Sequence, residues 1–285
     1  MLGLTQDTRS TNMCSETEIE FIARREKILM NRTPPKAVRQ HLRREIGFGC
    51  PVPGCANPYL EWHHYDPPWH EREHHEPQGM IALCAEHHRK ADAGAFTVDQ
   101  LRMFKADAIA KAKEIQGRFD WLRHRLLAVV GSNFYYETPI IFQFRDQPIV
   151  WFNRDSEQHL LLNVRMLTTS GEERLVLEDN DWVARGTLSD FECPPSGRLV
   201  DARYANGDAI RIEYFEIDSI EAIQQRYPEA HAVHWQIELP ITCVEVHFKV
   251  AGTLIEFGPT YTRLPGNNII RWGFVSHCGA GIVLR

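Results

Sequence analysis

The chain has 285 residues, of which 43% are hydrophobic and 25% charged, and its formal net charge is −6. This length suggests two domains, and the composition is that of an ordinary globular protein rather than a disordered, fibrous or membrane-embedded one. No apolar run reaches the roughly 18 residues of a membrane span, and residues 1–13 lack the apolar segment of a secretory signal. We therefore predict a cytoplasmic protein without a membrane partner, and the odd number of cysteines, seven, agrees with reduced thiols.

The charge is unevenly distributed along the chain. Residues 1–130 carry 19 Lys and Arg against 17 Asp and Glu, whereas residues 131–285 carry 13 against 21. The first part is therefore slightly basic and the second is acidic. This distribution predicts that any nucleic-acid-binding face lies in the first part.

The first predicted elements are a disordered segment, residues 1–14, and a helix. Ser15 and Glu18 have the spacing of a capping box, and apolar residues then recur at helical spacing as far as Met30. We therefore predict a helix from Ser15 to about Met30.

A second helix is predicted from Lys36 to Ile46, after the helix-breaking pair Pro34-Pro35. The face opposite its apolar positions is basic and comprises Lys36, Arg39, Arg43 and Arg44. Such a face is commonly only solvated, but Arg39 and Arg43 are also candidate contacts for the phosphates of a nucleic acid.

Residues 48–92 hold three of the seven cysteines and seven of the fourteen histidines, a composition typical of a metal site. Cys50 and Cys55 form one close pair, and Cys84 and His87 form another. Four soft donors in two pairs suit a closed tetrahedral zinc site, so we predict that these residues bind a structural Zn²⁺. The alternative is a set of reduced, buried cysteines.

The doublet His63-His64 ends an apolar and aromatic run and precedes the turn-forming Asp66-Pro67-Pro68. A zinc ion with four protein ligands cannot activate water, so these histidines need another explanation. The residues LEWHHYDPP, followed by GMIALCAEHHRK, resemble the HNH nuclease family, whose ββα-metal fold is often built around such a zinc site. The similarity lies in the doublet, in Leu83-Cys84 and in His88.

The resemblance implies that His64 is the general base, and that His63 and His88 hold a catalytic divalent cation, Mg²⁺ or Mn²⁺. An imidazole can take a proton from water near neutral pH, and a cation beside the scissile phosphate offsets the charge of the transition state. The implied function is metal-dependent hydrolysis of DNA phosphodiester bonds, by nicking or by double-strand cutting. In bacteria such enzymes often serve in restriction or in defence against phage, which makes other subunits of such a system, or further copies of this chain, candidate partners.

The chain departs from the family pattern at Gly79, which occupies the position of a central Asn, with Gln78 as the nearest amide. In the family that Asn mainly braces the loop, so the departure concerns loop geometry more than chemistry. A further point concerns the strand, because neighbouring side chains in a regular strand point to opposite faces. His63 and His64 therefore converge only where the strand twists or ends, which Pro67-Pro68 would allow. A non-catalytic copy of the fold is the alternative.

The segment between the doublet and Gly79 contains His70, His74 and His75 among three glutamates. We interpret it as a solvated, charged hairpin loop, and a second metal site is the alternative.

After this stretch, Gly94 is predicted to end the short helix that carries His88. The capping-box form Thr97-x-x-Gln100 predicts a helix to about Gly117, and a further helix is predicted from Arg118 to Val130. Candidate phosphate contacts here are Arg89, Lys90, Arg102 and Lys105.

From Pro139 onward, short β-branched and aromatic runs alternate with turn residues, which predicts an all-β domain, either a sandwich or a short β-solenoid. One helix, Ser219 to about Arg226, interrupts it. Single histidines in this region, His247 and His277, are interpreted as structural.

The predicted fold class is therefore α+β, with a domain boundary at residues 131–133. Residues 15–131 would form a helical HNH domain and residues 132–285 an all-β domain for recognition, regulation or oligomerisation.

Two other functions fit the sequence. A zinc-stabilised module that binds DNA or protein would need the four zinc ligands, but it has no use for His63, His64 and His88. Alternatively, the all-β domain binds a small ligand or a modified base, and the nuclease is its output.

Overall fold

The computed structural model describes residues 30–108, 115–166, 168–230, 233 and 235–285. The predicted disordered segment, residues 1–14, and the predicted helix of residues 15–30, apart from its last residue, lie outside the described residues. The described part is α+β, with most of its regular structure in strands. This agrees with the predicted fold class.

Residues 30–108, which we call the N-terminal part, consist of three helices around a two-stranded sheet. The elements are α1 (Lys36–Glu45), β1 (Leu60–His64), a 3-10 turn (Pro77–Gly79), β2 (Met80–Cys84), α2 (Ala85–Asp92) and α3 (Val98–Asp107). β1 and β2 are antiparallel, with Leu60 opposite Cys84 and His64 opposite Met80. β1, β2 and α2 therefore form a ββα unit, and α1 packs against β2.

Two predicted helix boundaries in this part are confirmed. At the start of α3, the N–H of Gln100 donates to the Thr97 hydroxyl (3.2 Å) and the N–H of Thr97 donates to the Gln100 side chain (2.9 Å). This is the predicted capping box. After α2, Gly94 has a φ of 76°, a left-handed conformation that glycine adopts without strain and that ends the helix.

Residues 115–285, which we call the β domain, contain in their described part the remaining strands, one α-helix and two 3-10 turns, Pro228–Ala230 and Pro265–Asn267. The strands are β3 (Ile115–Arg118), β4 (Leu126–Val130), β5 (Asn133–Tyr136), β6 (Ile140–Phe144), β7 (Gln147–Arg154), β8 (Leu160–Arg165), β9 (Leu175–Glu178), β10 (Asp181–Ala184), β11 (Leu188–Glu192), β12 (Leu199–Tyr204), β13 (Ala209–Ile217), β14 (Ile241–Lys249), β15 (Glu256–Phe257), β16 (Thr262–Leu264), β17 (Asn268–Ile270), β18 (Phe274–Ser276) and β19 (Ala280–Leu284). Helix α4 (Ile220–Arg226) starts after Ser219, whose hydroxyl accepts the N–H of Ala222, as predicted.

The strands form two sheets. One sheet has the order β19-β6-β7-β8-β9-β10-β3, and the other is built on β11-β12-β13-β14-β15-β16-β17, with β4, β5 and β18 joined to it through β14. Side chains of both sheets share one buried core, including Leu162 and Trp182 from the first sheet and Ile212 and Val244 from the second. Two sheets packed over a common core are a sandwich, which decides against the solenoid alternative.

The helix predicted from Arg118 to Val130 is wrong, as is the continuation of the preceding helix to Gly117. Ile115–Arg118 is strand β3, and Leu126–Val130 is strand β4, with all five of its residues buried. β4 lies between β14 and β5 in the sheet, so both of its edges are paired, and its alternate residues are buried in two different core clusters, so both of its faces are covered as well. A short, continuously apolar run is compatible with helix or strand, and here the pairing with β14 decides for the strand. The predicted boundary, residues 131–133, comprises the two-residue turn from β4 to β5 and the first residue of β5.

No helix in the described ranges is both long enough and apolar enough to cross a membrane.

The basic face of α1 packs against strand β11. Arg43 is 2% exposed and makes a bidentate ion pair with Asp190, through Nη2 to Oδ2 (2.8 Å) and Nε to Oδ1 (3.1 Å). Arg39 lies 3.4 Å from Glu192, and Nε of Arg44 donates to the carbonyl of Ser189 (2.7 Å). The prediction that Arg43 contacts phosphates is therefore wrong, because its guanidinium is buried against a carboxylate. Arg39 was also predicted to contact phosphates. Its guanidinium is partly exposed and forms an ion pair with Glu192.

Arg43→Ala is expected to lower the free energy of unfolding by about 3 kcal/mol at pH 7, because the carboxylate of Asp190 stays buried without its partner. Burial alone would raise the pKa of Asp190, but hydrogen bonds from Arg43 and Gln40 hold it below its usual value. The ion pair therefore contributes above the ordinary aspartate pKa of about 3.9, and its contribution is lost as the pH falls through the lower pKa of the folded state.

Urea unfolding at pH 7 and at acidic pH measures this difference. Arg44→Ala, which removes an exposed neighbour, is the control and should cost less than about 1 kcal/mol. Equal losses for the two variants would contradict a buried, stabilising ion pair.

Candidate functional site

Four candidate metal ligands meet at one end of the β1-β2 sheet. Cys50 and Cys55 lie in the loop before β1, where the N–H of Cys55 donates to the carbonyl of Val52 (3.0 Å). Cys84 is the last residue of β2, and His87 lies in the first turn of α2. The hairpin and the helix that follows it thus bring both predicted pairs together.

The separations of the four donor atoms are those of ligands around one ion. The sulfurs of Cys55 and Cys84 are 3.7 Å apart, and Nδ1 of His87 lies 3.2 Å from the Cys84 sulfur and 3.5 Å from the Cys50 sulfur. Tetrahedral zinc places two sulfurs about 3.8 Å apart, and a sulfur and a nitrogen about 3.5 Å apart. A disulfide would need about 2.05 Å. The four predicted ligands therefore form a site that can hold a metal ion.

A second cluster joins β1 to α2. Nδ1 of His63 lies 3.2 Å from Oδ1 of Asp92, and Nε2 of His88 lies 3.8 Å from Oδ2 of the same carboxylate. These two ring nitrogens are buried and, within the described residues, make no hydrogen bond of good geometry, although both lie within ion-pair distance of Asp92. Two imidazole nitrogens that converge on one carboxylate in this way form a group that could hold a cation.

Glu61 orients His88 in this cluster. Nδ1–H of His88 donates to Oε2 of Glu61 (2.7 Å), which leaves the lone pair of Nε2 on the side of Asp92. This tautomer is assigned from the hydrogen bond. Glu61 and His63 are two residues apart in β1 and share a face of the strand, so both reach α2. A carboxylate on the outer nitrogen of a ligating histidine fixes the ring and increases its basicity.

The sequence pattern did not indicate Asp92 or Glu61. A signal for Asp92 was present in its spacing, because it follows His88 by four residues in α2 and therefore lies on the same helix face. Glu61 had no comparable signal, since its role depends on the packing of β1 against α2.

His64 occupies a separate, aromatic environment. It is 4% exposed, and its ring centroid lies 4.7 Å from that of Trp69, 5.2 Å from that of His74 and 5.9 Å from that of His75. Burial lowers the pKa of His64 to about 4, and the neighbouring histidines act in the same direction. The ring is therefore neutral at physiological pH, and neither of its nitrogens has a hydrogen-bond partner within the described residues.

His63 and His64 nevertheless open into the same cavity, of about 350 Å³, which Asp92 also lines. This convergence occurs because β1 ends at His64 and the chain then turns. In the turn, the N–H groups of Tyr65 and Asp66 both donate hydrogen bonds to the carbonyl of Gly79. The expectation that the doublet converges at a terminating strand is confirmed.

The interpretation of residues 69–78 as a solvated loop is correct for His70, whose side chain is 80% exposed, but wrong for His74 and His75. His74 is 4% exposed. Its Nε2–H donates a hydrogen bond to the carbonyl of Pro67 (2.9 Å), and its Nδ1 accepts one from the N–H of Glu76 (3.2 Å). His75 stacks on the neighbouring Trp69, with centroids 5.5 Å apart. These contacts form one wall around His64. This loop provides no metal-ligand cluster within the described residues.

Gly79 is required by a close approach of two backbone segments. A Cβ atom on Gly79 would overlap the backbone oxygen of Asp66 and would lie 2.9 Å from Cε1 of His74. The Asn of the family pattern therefore has no room at this position. The backbone hydrogen bonds of Gly79 close the loop directly.

The predicted phosphate contacts beyond β2 have different environments. Arg89 and Lys90 are exposed on α2, and they stay candidate contacts for DNA. Lys105 is only 12% exposed and donates to the carbonyls of Pro77 and Met80. Lys105 therefore stabilises the turn before β2. It was predicted to contact phosphates, but its side chain is largely withdrawn from solvent.

The β domain has a cleft of its own, of about 560 Å³, beside the strand pair β13 and β14. It is lined by Glu245, which accepts hydrogen bonds from Arg226 (2.6 Å) and from the hydroxyl of Tyr227 (3.1 Å). His247 also lines the cleft, and its Nε2 has no hydrogen-bond partner within the described residues. His247 was predicted to be structural, and it lies in the wall of this cleft. His277 does not line the cleft, and its structural role stays a prediction.

Comparisons with protein-family models, with curated proteins and with solved structures find no match to this chain. The two clusters that could hold metal ions and the cavity beside them are therefore the features that bear on function.

Proposed function

We propose that this protein is a metal-dependent endonuclease of the HNH type that hydrolyses phosphodiester bonds of DNA. The observation that carries the proposal is the convergence of the buried, bare nitrogens of His63 and His88 on the carboxylate of Asp92, beside a cavity that His64 also lines. A purely structural zinc module needs only the first cluster and leaves the second unexplained.

In this proposal Cys50, Cys55, Cys84 and His87 hold a structural Zn²⁺, which ties the loop before β1 to the start of α2. Three sulfurs and one nitrogen at tetrahedral separations suit zinc, and a site closed by four protein ligands leaves no position for water. Its role is to fix α2, which carries His88 and Asp92.

His63, His88 and Asp92 would hold the second, catalytic cation, which supplies positive charge next to the scissile phosphate. Three protein ligands leave coordination positions open for substrate, in contrast to the first cluster. Two imidazole nitrogens and one carboxylate favour Mn²⁺ over Mg²⁺, because Mg²⁺ prefers oxygen ligands. We therefore expect Mn²⁺ to support the faster reaction of these two.

His64 would act as the general base. Its ring is neutral at physiological pH and has free nitrogens, so it can accept a proton from the attacking water inside the cavity. Trp69, His74 and His75 pack around the ring and limit its motion. Exposed Arg89 and Lys90 on α2 would contact phosphates on either side of the cleaved bond.

A plasmid-cleavage assay without added cation, with Mg²⁺ and with Mn²⁺ tests the proposal. We expect cation-dependent nicking or linearisation by the wild type and a loss of 10²- to 10⁴-fold, in order of magnitude, in His64→Ala. His70→Ala is the matched control, because His70 is an exposed histidine of the same loop, and it should cleave like the wild type.

Equal cleavage by the wild type and by His64→Ala would exclude His64 as the base. No cleavage by the wild type with any divalent cation would exclude the nuclease and favour a non-catalytic binding module.

A further inference from the structure

The segment of residues 30–33 is tied to the loop that packs around His64. The N–H of Met30 donates to Oε2 of Glu73 (3.1 Å), and Nε2–H of His75 donates to the carbonyl of Asn31 (2.9 Å). The side-chain oxygen of Asn31 in turn accepts the N–H of Thr33 (3.0 Å). These bonds hold the backbone on both sides of Arg32.

Arg32 lines the cavity together with His63, His64 and Asp92, and no other Lys or Arg among the described residues does so. Its guanidinium has no hydrogen-bond or ion-pair partner in the described part of the chain, and the residue is exposed. Burial is the main cause that lowers the pKa of His63 and His64, and the charge of Arg32 adds to it at both rings.

Two other cations of the N-terminal part, both in α3, are already engaged with protein groups. Arg102 pairs with Asp66 and Asp99, and Lys105 pairs with Glu45. Arg32 thus lines the cavity without an ion-pair partner among the residues that the structure describes. A guanidinium with free N–H donors binds the oxygens of a phosphate group in a bidentate manner, more specifically than an ammonium does.

We propose that Arg32 binds the scissile phosphodiester of the substrate in the cavity that it lines together with His63, His64 and Asp92, and that His75 is the positioning residue that holds it there. This inference rests on the proposed nuclease function and names the group that recognises the reacting phosphate.

The role of Arg32 follows from the charge that develops during hydrolysis. The water oxygen forms a bond to phosphorus, the bond from phosphorus to the leaving nucleoside oxygen breaks, and the proton of the water passes to His64. The leaving oxygen takes a proton from solvent, so atoms and charge balance. The non-bridging oxygens become more negative in the transition state, and a fixed guanidinium stabilises that state more than the ground state.

The role of His75 follows from its two contacts. Its ring stacks on Trp69, and its Nε2–H holds the carbonyl of Asn31, next to Arg32. Removing the ring would release the segment while leaving the guanidinium in the chain. The decrease in kcat/KM caused by His75→Ala should therefore be smaller than the decrease caused by Arg32→Ala, and it should not add to that decrease when the two substitutions are combined.

The test compares Arg32→Ala, Arg32→Lys, His75→Ala and the double variant Arg32→Ala/His75→Ala, with Arg72→Ala as matched control. Arg72 is an exposed arginine of the same loop, paired only with Glu76 among the described residues. Two quantities are measured on full-length, zinc-loaded protein: kcat and KM for cleavage of a labelled oligonucleotide with Mn²⁺, and binding of the same oligonucleotide by fluorescence anisotropy without added Mn²⁺, at several salt concentrations.

We expect kcat/KM to fall about 10²- to 10³-fold in Arg32→Ala, mainly through kcat, with partial recovery in Arg32→Lys. Binding without Mn²⁺ should weaken. The slope of log Kd against the logarithm of the salt concentration should decrease by about one, which corresponds to the loss of one phosphate contact. The double variant should be no worse than Arg32→Ala, since both changes remove the same interaction. Arg72→Ala should match the wild type.

Cleavage and binding by Arg32→Ala at wild-type levels would overturn the inference and leave the nuclease function standing. Losses that multiply in the double variant would overturn the positioning role of His75. If the wild type cleaves nothing, the proposed function fails, and the binding measurement still decides whether Arg32 recognises phosphate: unchanged binding in Arg32→Ala overturns that as well.

Discussion

Replacing Cys84 by serine is expected to abolish metal binding at the first cluster and to unfold the N-terminal part, while the β domain stays folded. Cys84 lies at the centre of the cluster, with Cys55 and His87 within 3.7 Å and 3.2 Å of its sulfur. It also joins β2 to α2, so its loss releases the helix that carries His88 and Asp92. Structural zinc sites contribute on the order of 10 kcal/mol or more, which exceeds the stability of most small domains.

The N-terminal part has a small core of its own, which includes Leu42, Met80, Leu83 and Leu101, separate from the core of the sandwich. Hydrogen exchange followed by mass spectrometry therefore resolves the two parts, and elemental analysis gives the zinc content. Cys278→Ser is the matched control, because Cys278 is an exposed cysteine outside the cluster, and it should retain zinc and protection. Protected amides in α2 together with an unchanged zinc content in Cys84→Ser would contradict the structural metal site.

If the proposed nuclease function holds, Asp92→Asn is expected to prevent binding of the second cation without affecting the first cluster, and to lower cleavage by about 10³-fold or more. The carboxylate of Asp92 lies between the bare nitrogens of His63 and His88, so an amide at this position removes the only anionic ligand of the cluster. Loss of the cation forfeits several kcal/mol of transition-state stabilisation, and each 1.36 kcal/mol corresponds to about a factor of ten in rate.

Titration with Mn²⁺, followed by electron paramagnetic resonance, measures the stoichiometry directly and does not depend on activity. The wild type should bind one Mn²⁺ in addition to its zinc, and Asp92→Asn should bind none at comparable concentrations. Glu61→Gln, which alters only the orientation of His88, should weaken Mn²⁺ binding by about 10- to 100-fold. Asp99→Asn, an exposed carboxylate of the next helix, is the control without effect. Equal Mn²⁺ binding by Asp92→Asn and the wild type would exclude the site.

The candidate site was predictable from the sequence where its residues are close neighbours in the chain. The spacing of Cys84 and His87 within one helical turn, and the position of His63 and His64 at the end of an apolar run before two prolines, are local features. A turn of helix or the end of a strand places such side chains with little help from the rest of the fold.

The partners of these residues were not predictable in the same way. Glu61 reaches His88 only because β1 packs on α2, and His75 joins the cluster around His64 only because the following loop folds back on the strand. A charged or polar residue in a loop looks solvated in the sequence, and its burial is decided by which element covers it.

The largest differences between prediction and structure have the same origin. The basic face of α1 gives no sign of whether it meets solvent or protein, and its partner Asp190 lies 147 residues further along the chain. The apolar run Leu126–Val130 suits a helix as well as a strand, and its pairing with Thr242–Val246 in β14 makes it a strand.

The sequence by itself determined the α+β class, the grouping of the four residues that could hold a metal ion in the first cluster, and the place of His63 and His64 at the end of β1, because spacing and periodicity are properties of the chain. The tertiary structure alone decided the start of the β domain at Ile115, the burial of Arg43 and the joining of Asp92 and Glu61 to the histidines. The physical reason is that strand pairing and the burial of charge depend on contacts between distant segments, and local propensity carries no information about them.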